Sequence, residues 1–120
     1  MKSYLVVGLG RFGTSVARTL TKLGQEVLAV DIDEERVKYV APEVTHALQV
    51  DATDANALKS LGVRNFQVAV VGIGGDVQAN IMTTLLLKEM GVPYVVAKAL
   101  NKIQGRVLEK VGADRVVYPE

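Results

Sequence analysis

From Ser3 onward the chain alternates between short runs rich in Val, Leu and Ala and longer runs in which apolar residues recur every three or four positions. The short runs, apolar without alternation, are the pattern of strands covered on both faces. They predict strands at Ser3–Val7, Val27–Val30, Thr45–Val50, Val68–Val71, Tyr94–Ala97 and Arg115–Val117. The periodic runs predict helices at Phe12–Leu23, Glu34–Val40, Ala55–Leu61, Val77–Met90 and Lys102–Val111. Gly24, Gly62, Gly91 and Gly112 each stand just past a helical run, where a helix C-terminus favours glycine. Strict strand–helix alternation predicts one α/β domain with a doubly wound parallel sheet and right-handed crossovers. The expected strand order is 3-2-1-4-5-6, which opens a crevice above strands one and four, where the order reverses. The helix over Val77–Met90 is apolar on more than one side, through Met82, Leu85, Leu86, Leu87 and Met90. Burial against the sheet accounts for one side, and a partner subunit is the reading for another.

The first strand runs directly into Gly8-Leu9-Gly10-Arg11-Phe12-Gly13, a G-x-G-x-x-G loop opening a helix. In a Rossmann-like unit this loop holds a nucleotide pyrophosphate. Gly8 permits the sharp turn, Gly10 removes a Cβ from the path of the phosphate, and Gly13 lets helix and strand approach. The phosphate then meets unpaired N–H groups and the positive end of the helix dipole. Arg11 is unusual in such a loop. A guanidinium at a helix N-terminus is disfavoured by the dipole, so it reads either as a partner for terminal phosphates or as a solvated surface arginine. Phe12 reads as core or interface packing.

Asp31 follows Gly13 by 18 residues at the end of the second strand, where a carboxylate accepts from ribose hydroxyls and repels a 2′-phosphate. The alternative is a helix cap, for which Asp33 is better placed, just before Glu34 and Glu35. After the third strand, Asp51-Ala52-Thr53-Asp54 offers Asp51 as an adenine contact, with Thr53 or Asp54 capping the next helix. Gly72-Ile73-Gly74-Gly75 ends the fourth strand across the crevice, where glycines admit a ligand or simply make the turn. Asp76 reads as the cap of the long helix. Lys98 closes the fifth strand on the same sheet edge and would meet a phosphate or remain solvated.

Composition narrows the classes. Lys and Arg number 14 against 13 Asp and Glu, and aromatic residues make up 5%, so no basic aromatic-studded stripe is available for nucleic acid. Cysteine is absent, which removes disulfides, thiol catalysis and thiolate metal sites. His46 is the single histidine, and no catalytic triad, H-x-x-x-H pair or Tyr-x-x-x-Lys set can be assembled. The expectation is a non-enzymatic binder. No apolar run approaches the roughly 20 residues of a membrane span, and Met1-Lys2-Ser3 leads straight into a strand, so a cytoplasmic domain is expected.

These motifs together resemble the N-terminal nucleotide-binding lobe of regulator of potassium conductance (RCK) domains, the KTN or TrkA-N family. The resemblance covers essentially the whole chain. It is carried by the glycine loop, by Leu28-Ala29-Val30-Asp31-Ile32-Asp33, by Leu61-Gly62-Val63-Arg64-Asn65-Phe66, by Thr84-Leu85-Leu86-Leu87-Lys88-Glu89, and by the stretch from Val107 to Arg115. It implies a ligand-gated switch of potassium transport. Such lobes form homodimers through the fourth and fifth helices and build rings beneath a membrane channel subunit at the inner face of the membrane. ATP and ADP compete for the crevice in some members, and others respond to NAD or NADH.

The resemblance implies cofactor-binding roles for Gly8, Gly10, Arg11, Phe12, Gly13, Asp31, Ile32, Asp33, Asp51, Ala52, Thr53, Ile73, Gly74, Gly75, Lys98 and Ala99. Glu120 would hold a divalent cation such as Mg²⁺ or Ca²⁺ near the terminal phosphates. Asp33 and Asp51 stand where ATP- and ADP-binding members usually carry Asn, and these extra carboxylates keep NAD(H) as the alternative ligand; histidine is common near Gln104 and at the position of Tyr118. A dehydrogenase cofactor lobe is the remaining alternative. Ending at Pro119-Glu120, the chain is expected to be the first lobe alone, without the crossover helix and second lobe.

Overall fold

The structure is a computed structural model and describes residues 2–119. Its strands are β1 (Ser3–Val7), β2 (Glu26–Asp31), β3 (His46–Gln49), β4 (Val68–Val71), β5 (Tyr94–Lys98) and β6 (Arg115–Val117). Its α-helices are α1 (Arg11–Lys22), α2 (Glu34–Val40), α3 (Ala55–Ser60), α4 (Val77–Glu89) and α5 (Lys102–Lys110). The strands form one sheet in the order β3-β2-β1-β4-β5-β6, and every pairing is parallel. The alternation of the sequence therefore gives the expected doubly wound fold and strand order.

Successive strand residues feed opposite faces, as the pleat requires. Leu5 and Val7 of β1, Leu28 and Val30 of β2, and Val71 of β4 pack with Leu58, Leu87 and Leu108 from α3, α4 and α5. Val6, Val27, Ala29 and Val70 pack with Ala17 of α1 and with Val37 and Val40 of α2. Leu58, Leu87 and Leu108 are wholly buried, and each contributes about 1.5–3 kcal/mol.

Several element ends shift by one residue, as in β2, which gains Glu26 and Asp31, and two segments depart for a reason visible in the structure. The third strand is His46–Gln49 rather than Thr45–Val50. It lies at the sheet edge, and the Thr45 hydroxyl rather than a backbone carbonyl accepts from the Val27 N–H (3.0 Å). The second departure is α4. Of Met82, Leu85, Leu86, Leu87 and Met90, only Leu87 is fully buried, and Met82 is exposed. The fully buried positions of this helix also include Asn80, Thr83 and Thr84. Each of these polar side chains has a carbonyl partner: Ile73 and Lys98 for Asn80, Ala52 for Thr83, and Asn80 for Thr84. Polar groups are buried tolerably when so paired, so Leu87 shares the buried side with them, Leu86 and Met90 pack at its margin, and Met82 is left outside.

Two contacts set the depth of the sheet edge above β1 and β4. Gly8 takes φ +94°, and a Cβ there would stand 2.7 Å from the Ile73 nitrogen. A Cβ on Gly13 would stand 1.7 Å from the Gly8 carbonyl oxygen, so α1 sits on the backbone of the turn itself. At the opposite end of the sheet, the Lys88 ammonium donates to the Asp114 carboxylate (2.8 Å) and to the carbonyls of Val92 and Pro93 (3.2 Å each). The Val95 N–H donates to the same Asp114 oxygen (2.8 Å). Partial burial pushes the Asp114 carboxyl up, but Lys88 and the backbone donors outweigh it and hold it below the ordinary value.

Gly13→Ala is expected to cost about 3 kcal/mol or more, because the obstacle is backbone that cannot rotate away; chemical denaturation measures it. Asp114 holds its proton less tightly folded than unfolded, so its contribution is present above the unfolded pKa and is lost as pH falls through the folded one. Asp114→Asn should cost about 1 kcal/mol near neutral pH. In thermal melts the gap between the two proteins should narrow as pH is lowered from about 6 to about 3.

Candidate functional site

The N-termini of the helices divide into two kinds. Asp33, Asp54, Asp76 and Asn101 cap α2, α3, α4 and α5, each side chain accepting from an N–H of the first turn. Helix α1 begins at Gly10 with no side-chain cap and no acidic residue in its first turn. Its first N–H groups therefore keep their hydrogen-bonding capacity and partial positive charge for something outside the helix. Around Gly10 the space is open: the nearest neighbour of a Cβ built there is the Arg36 guanidinium at 3.7 Å.

Asp31 holds the loop below. It is 7% exposed, and its Oδ2 accepts from the Leu9 N–H (2.6 Å) while Oδ1 accepts from the Asp33 N–H (2.8 Å). A carboxylate has about four acceptor sites, so both oxygens retain capacity toward the crevice. Asp33 is the cap of α2, its Oδ1 taking the Glu35 N–H (2.9 Å). Thr53 does not cap α3; Asp54 does. The Thr53 hydroxyl and N–H instead donate to Asp51 Oδ1 (2.6 and 3.0 Å), and these two bonds hold the Asp51 carboxyl below its ordinary value.

Gly8, Asp31, Ile32, Asp51, Ala52, Thr53, Ile73, Gly74 and Gly75 line one cavity of about 370 Å³ above β1 and β4. Arg11, Phe12 and Lys98, with Ser15 and Pro119, line a neighbouring hollow of about 420 Å³. Gly10 and Arg11 also border a groove along α1 toward Arg18 and Lys22. There Arg18 pairs with Glu43 and lies over the Tyr39 ring, 5.3 Å from its centroid. Gly13 and Ala99 are buried; the Ala99 N–H donates to the Val117 carbonyl (2.9 Å). Glu120 lies outside the described residues. Among the described residues no group of three or more His, Cys, Asp or Glu stands together as a metal site. No described helix is long and apolar enough to cross a membrane. His46 is exposed on the edge strand.

The sequence reading missed Arg36, which lines the crevice, and Asn80, which lies buried behind it. Arg36 lines the 370 Å³ cavity, its guanidinium 3.9 Å from Asp31 and 4.0 Å from Asp33. Asn80 is fully buried and donates from Nδ2 to the carbonyls of Ile73 (2.9 Å) and Lys98 (3.1 Å). Arg36 stands in an acidic–basic helix face indistinguishable from a solvated one, and Asn80 in a helix whose pattern is apolar. For Arg36 the available signal was its spacing: one helical turn after Asp33, it returns to the strand end.

An edge of this shape is found in known proteins. The profile of the TrkA-N domain matches residues 4–119. The Ktr system potassium uptake protein A of Bacillus subtilis is 51% identical over 119 residues, covering 99% of this chain and 54% of that protein. The chain thus spans about half the length of that curated relative. Among solved structures, the NAD(P)-binding domain of an exopolyphosphatase-related protein from Archaeoglobus fulgidus superimposes with a TM-score of 0.86 at 26% identity, over 98% of this chain and 88% of that one. The RCK domain of GsuK shares the fold, with a TM-score of 0.83 at 17% identity over 97% of this chain and 25% of that one. Sequence and architecture agree, and the chain belongs to the TrkA-N domain family.

Proposed function

We propose that this domain is the nucleotide-sensing lobe of a regulator of potassium transport, and that it holds ATP or ADP in the crevice above β1 and β4. One observation carries the reading: α1, alone among the five helices, starts without a cap, and it does so over open space at Gly10. A diphosphate completes that helix end. Asp31 would accept from the ribose hydroxyls, and Asp51 with Ala52 would meet the adenine. Arg11 and Lys98, which line one hollow, would take the charge of the terminal phosphates. Glu120 would hold a divalent cation beside them.

The regulatory part of the reading comes from the kinship with potassium uptake proteins, and the lobe would act by binding rather than by catalysis. Leu100, Ile103 and Val107 form an outward stripe on and before α5, with Ile103 79% exposed. Val77 and Met82 on α4 are also exposed. A homodimer would bury this surface through both helices, and the longer protein would carry such dimers into a ring on a membrane potassium channel subunit, at the cytoplasmic face. A nucleotide then shifts the dimer between shapes only by its difference in affinity for them. The second reading is an NAD(H) sensor. It is favoured by the structural likeness to an NAD(P)-binding domain at 26% identity and by the glycines of the cavity at Gly72–Gly75.

Calorimetric titration with ATP, ADP, NADH and AMP, with and without Mg²⁺, separates the two. Tight ATP and ADP binding with weak NADH is the expected result, and preferred NADH binding moves the lobe to the second reading. Arg11→Ala should remove the preference for ATP over ADP while ADP still binds; an unchanged preference would end the terminal-phosphate role. Gly10→Ala should leave stability within about 1 kcal/mol, since its backbone is ordinary and its Cβ meets open space. It should nevertheless weaken ADP binding about tenfold or more, a loss of about 1.4 kcal/mol.

A further inference from the structure

The two walls of the crevice are held differently. On the β1–β2 side, the Leu9 and Asp33 N–H groups are fixed by the buried Asp31 carboxylate. On the β4–β5 side, the Gly72 N–H donates to the Val7 carbonyl (2.7 Å), and the chain then runs through Ile73, Gly74 and Gly75. Among the described residues, none of these three N–H groups has a hydrogen-bond acceptor. Besides the Ile73 side chain, which packs against the core, the segment's hydrogen-bonded tie to the body of the protein is its Ile73 carbonyl, which accepts from Asn80 Nδ2. The same Nδ2 donates to the carbonyl of Lys98, whose ammonium lies 2.9 Å from where a Gly74 Cβ would stand. One amide group therefore bridges the Ile73 loop to the end of β5, which its pairing with β6 already holds.

The amide is not there for packing alone. Asn80 is fully buried, and its Oδ1 has no partner among the described residues. An unpaired buried acceptor is a cost that an apolar side chain of equal volume would not carry. The two donated bonds are what that side chain would lack. We propose that Asn80 is the positioning residue of the second wall. It holds Ile73 and Lys98 by their carbonyls, so that the free N–H groups of Gly74 and Gly75 and the Lys98 ammonium converge on one anionic ligand, a nucleoside phosphate. The ligand class rests on the reading above; the anchoring of the loop does not.

The test uses the 120-residue chain with Asn80→Leu, Asn80→Ser and, as control, Thr84→Val. Thr84 loses only a bond within α4, from its hydroxyl to the Asn80 carbonyl, and makes no side-chain hydrogen bond to either loop. Backbone ¹⁵N relaxation of Ile73, Gly74 and Gly75 is measured without ligand, ADP affinity by calorimetry, and melting temperature in parallel. In Asn80→Leu the three amides should lose order and ADP binding should weaken about tenfold or more, with a melting temperature no lower than that of Thr84→Val. Asn80→Ser, which keeps a shorter donor, should fall between and serves if the leucine variant does not fold. Thr84→Val should bind ADP within about twofold of the parent. Native loop order and native affinity in a folded Asn80 variant would overturn the proposal. So would equal affinity losses in all three variants that follow melting temperature, the result of a merely structural role. If the parent chain itself binds none of the nucleotides, the nucleotide reading fails, and loop order alone decides the role of Asn80.

Discussion

The approach of Gly13 to the carbonyl of Gly8, too close for any Cβ between them, is the constraint on which the ligand edge depends. It seats the first turn of α1 directly on the end of the central strand. With helix and turn in backbone contact, the N–H groups of α1 open at the level of the sheet edge rather than above it. The neighbouring close approach, Gly8 against Gly72 and Ile73, brings the β4 loop to the same level. The crevice is what remains between two loops that are already as near as backbones can come.

Charge is distributed around this edge with a clear division. Asp31 is buried and faces N–H donors of the turn, where its negative charge lies below the helix dipole. Arg11 and Lys98 are on the open side and border a common hollow. Arg36 spans the two regions, close to Asp31, Asp33 and the space over Gly10. A positive rim over a buried carboxylate suits a molecule with hydroxyls at one end and phosphates at the other. It suits a simple dianion less well, because that brings no hydroxyl donors for the remaining acceptor sites of Asp31.

The fold was legible because two signals reinforced each other. Uninterrupted Val, Leu and Ala runs fixed the strands, and Gly24, Gly62, Gly91 and Gly112, all at positive φ, fixed where helices stop. The caps at Asp33, Asp54 and Asp76 were legible too, since a short acidic residue before a helix has one common use. The interior face of α4 was not. Its periodicity showed where Leu and Met recur, whereas the side toward the sheet is set by Asn80 and Thr83, each finding a carbonyl outside the helix, and by Thr84, which bonds back to the Asn80 carbonyl. No local pattern encodes a partner 31 residues away, as for Thr83 and Ala52. The edge strand was overestimated for a related reason: a Thr hydroxyl can end a ladder as well as a backbone carbonyl can extend it.

The strand order carries a consequence for how the molecule comes into being. Of the six strands of this sheet, β1 comes first in the chain and lies inside the sheet, with β2 registered 23 residues later at Ser3↔Glu26 and β4 only 64 residues later at Tyr4↔Val68. The half built from β1, β2 and β3 closes over short loops, whereas the seam to β4 joins segments far apart in the chain, the slower kind of step. The crevice lies on that seam. It does not exist in either half alone and appears when the two are sutured, so occupancy of this edge reports on completed assembly of the domain as well as on the concentration of whatever occupies it.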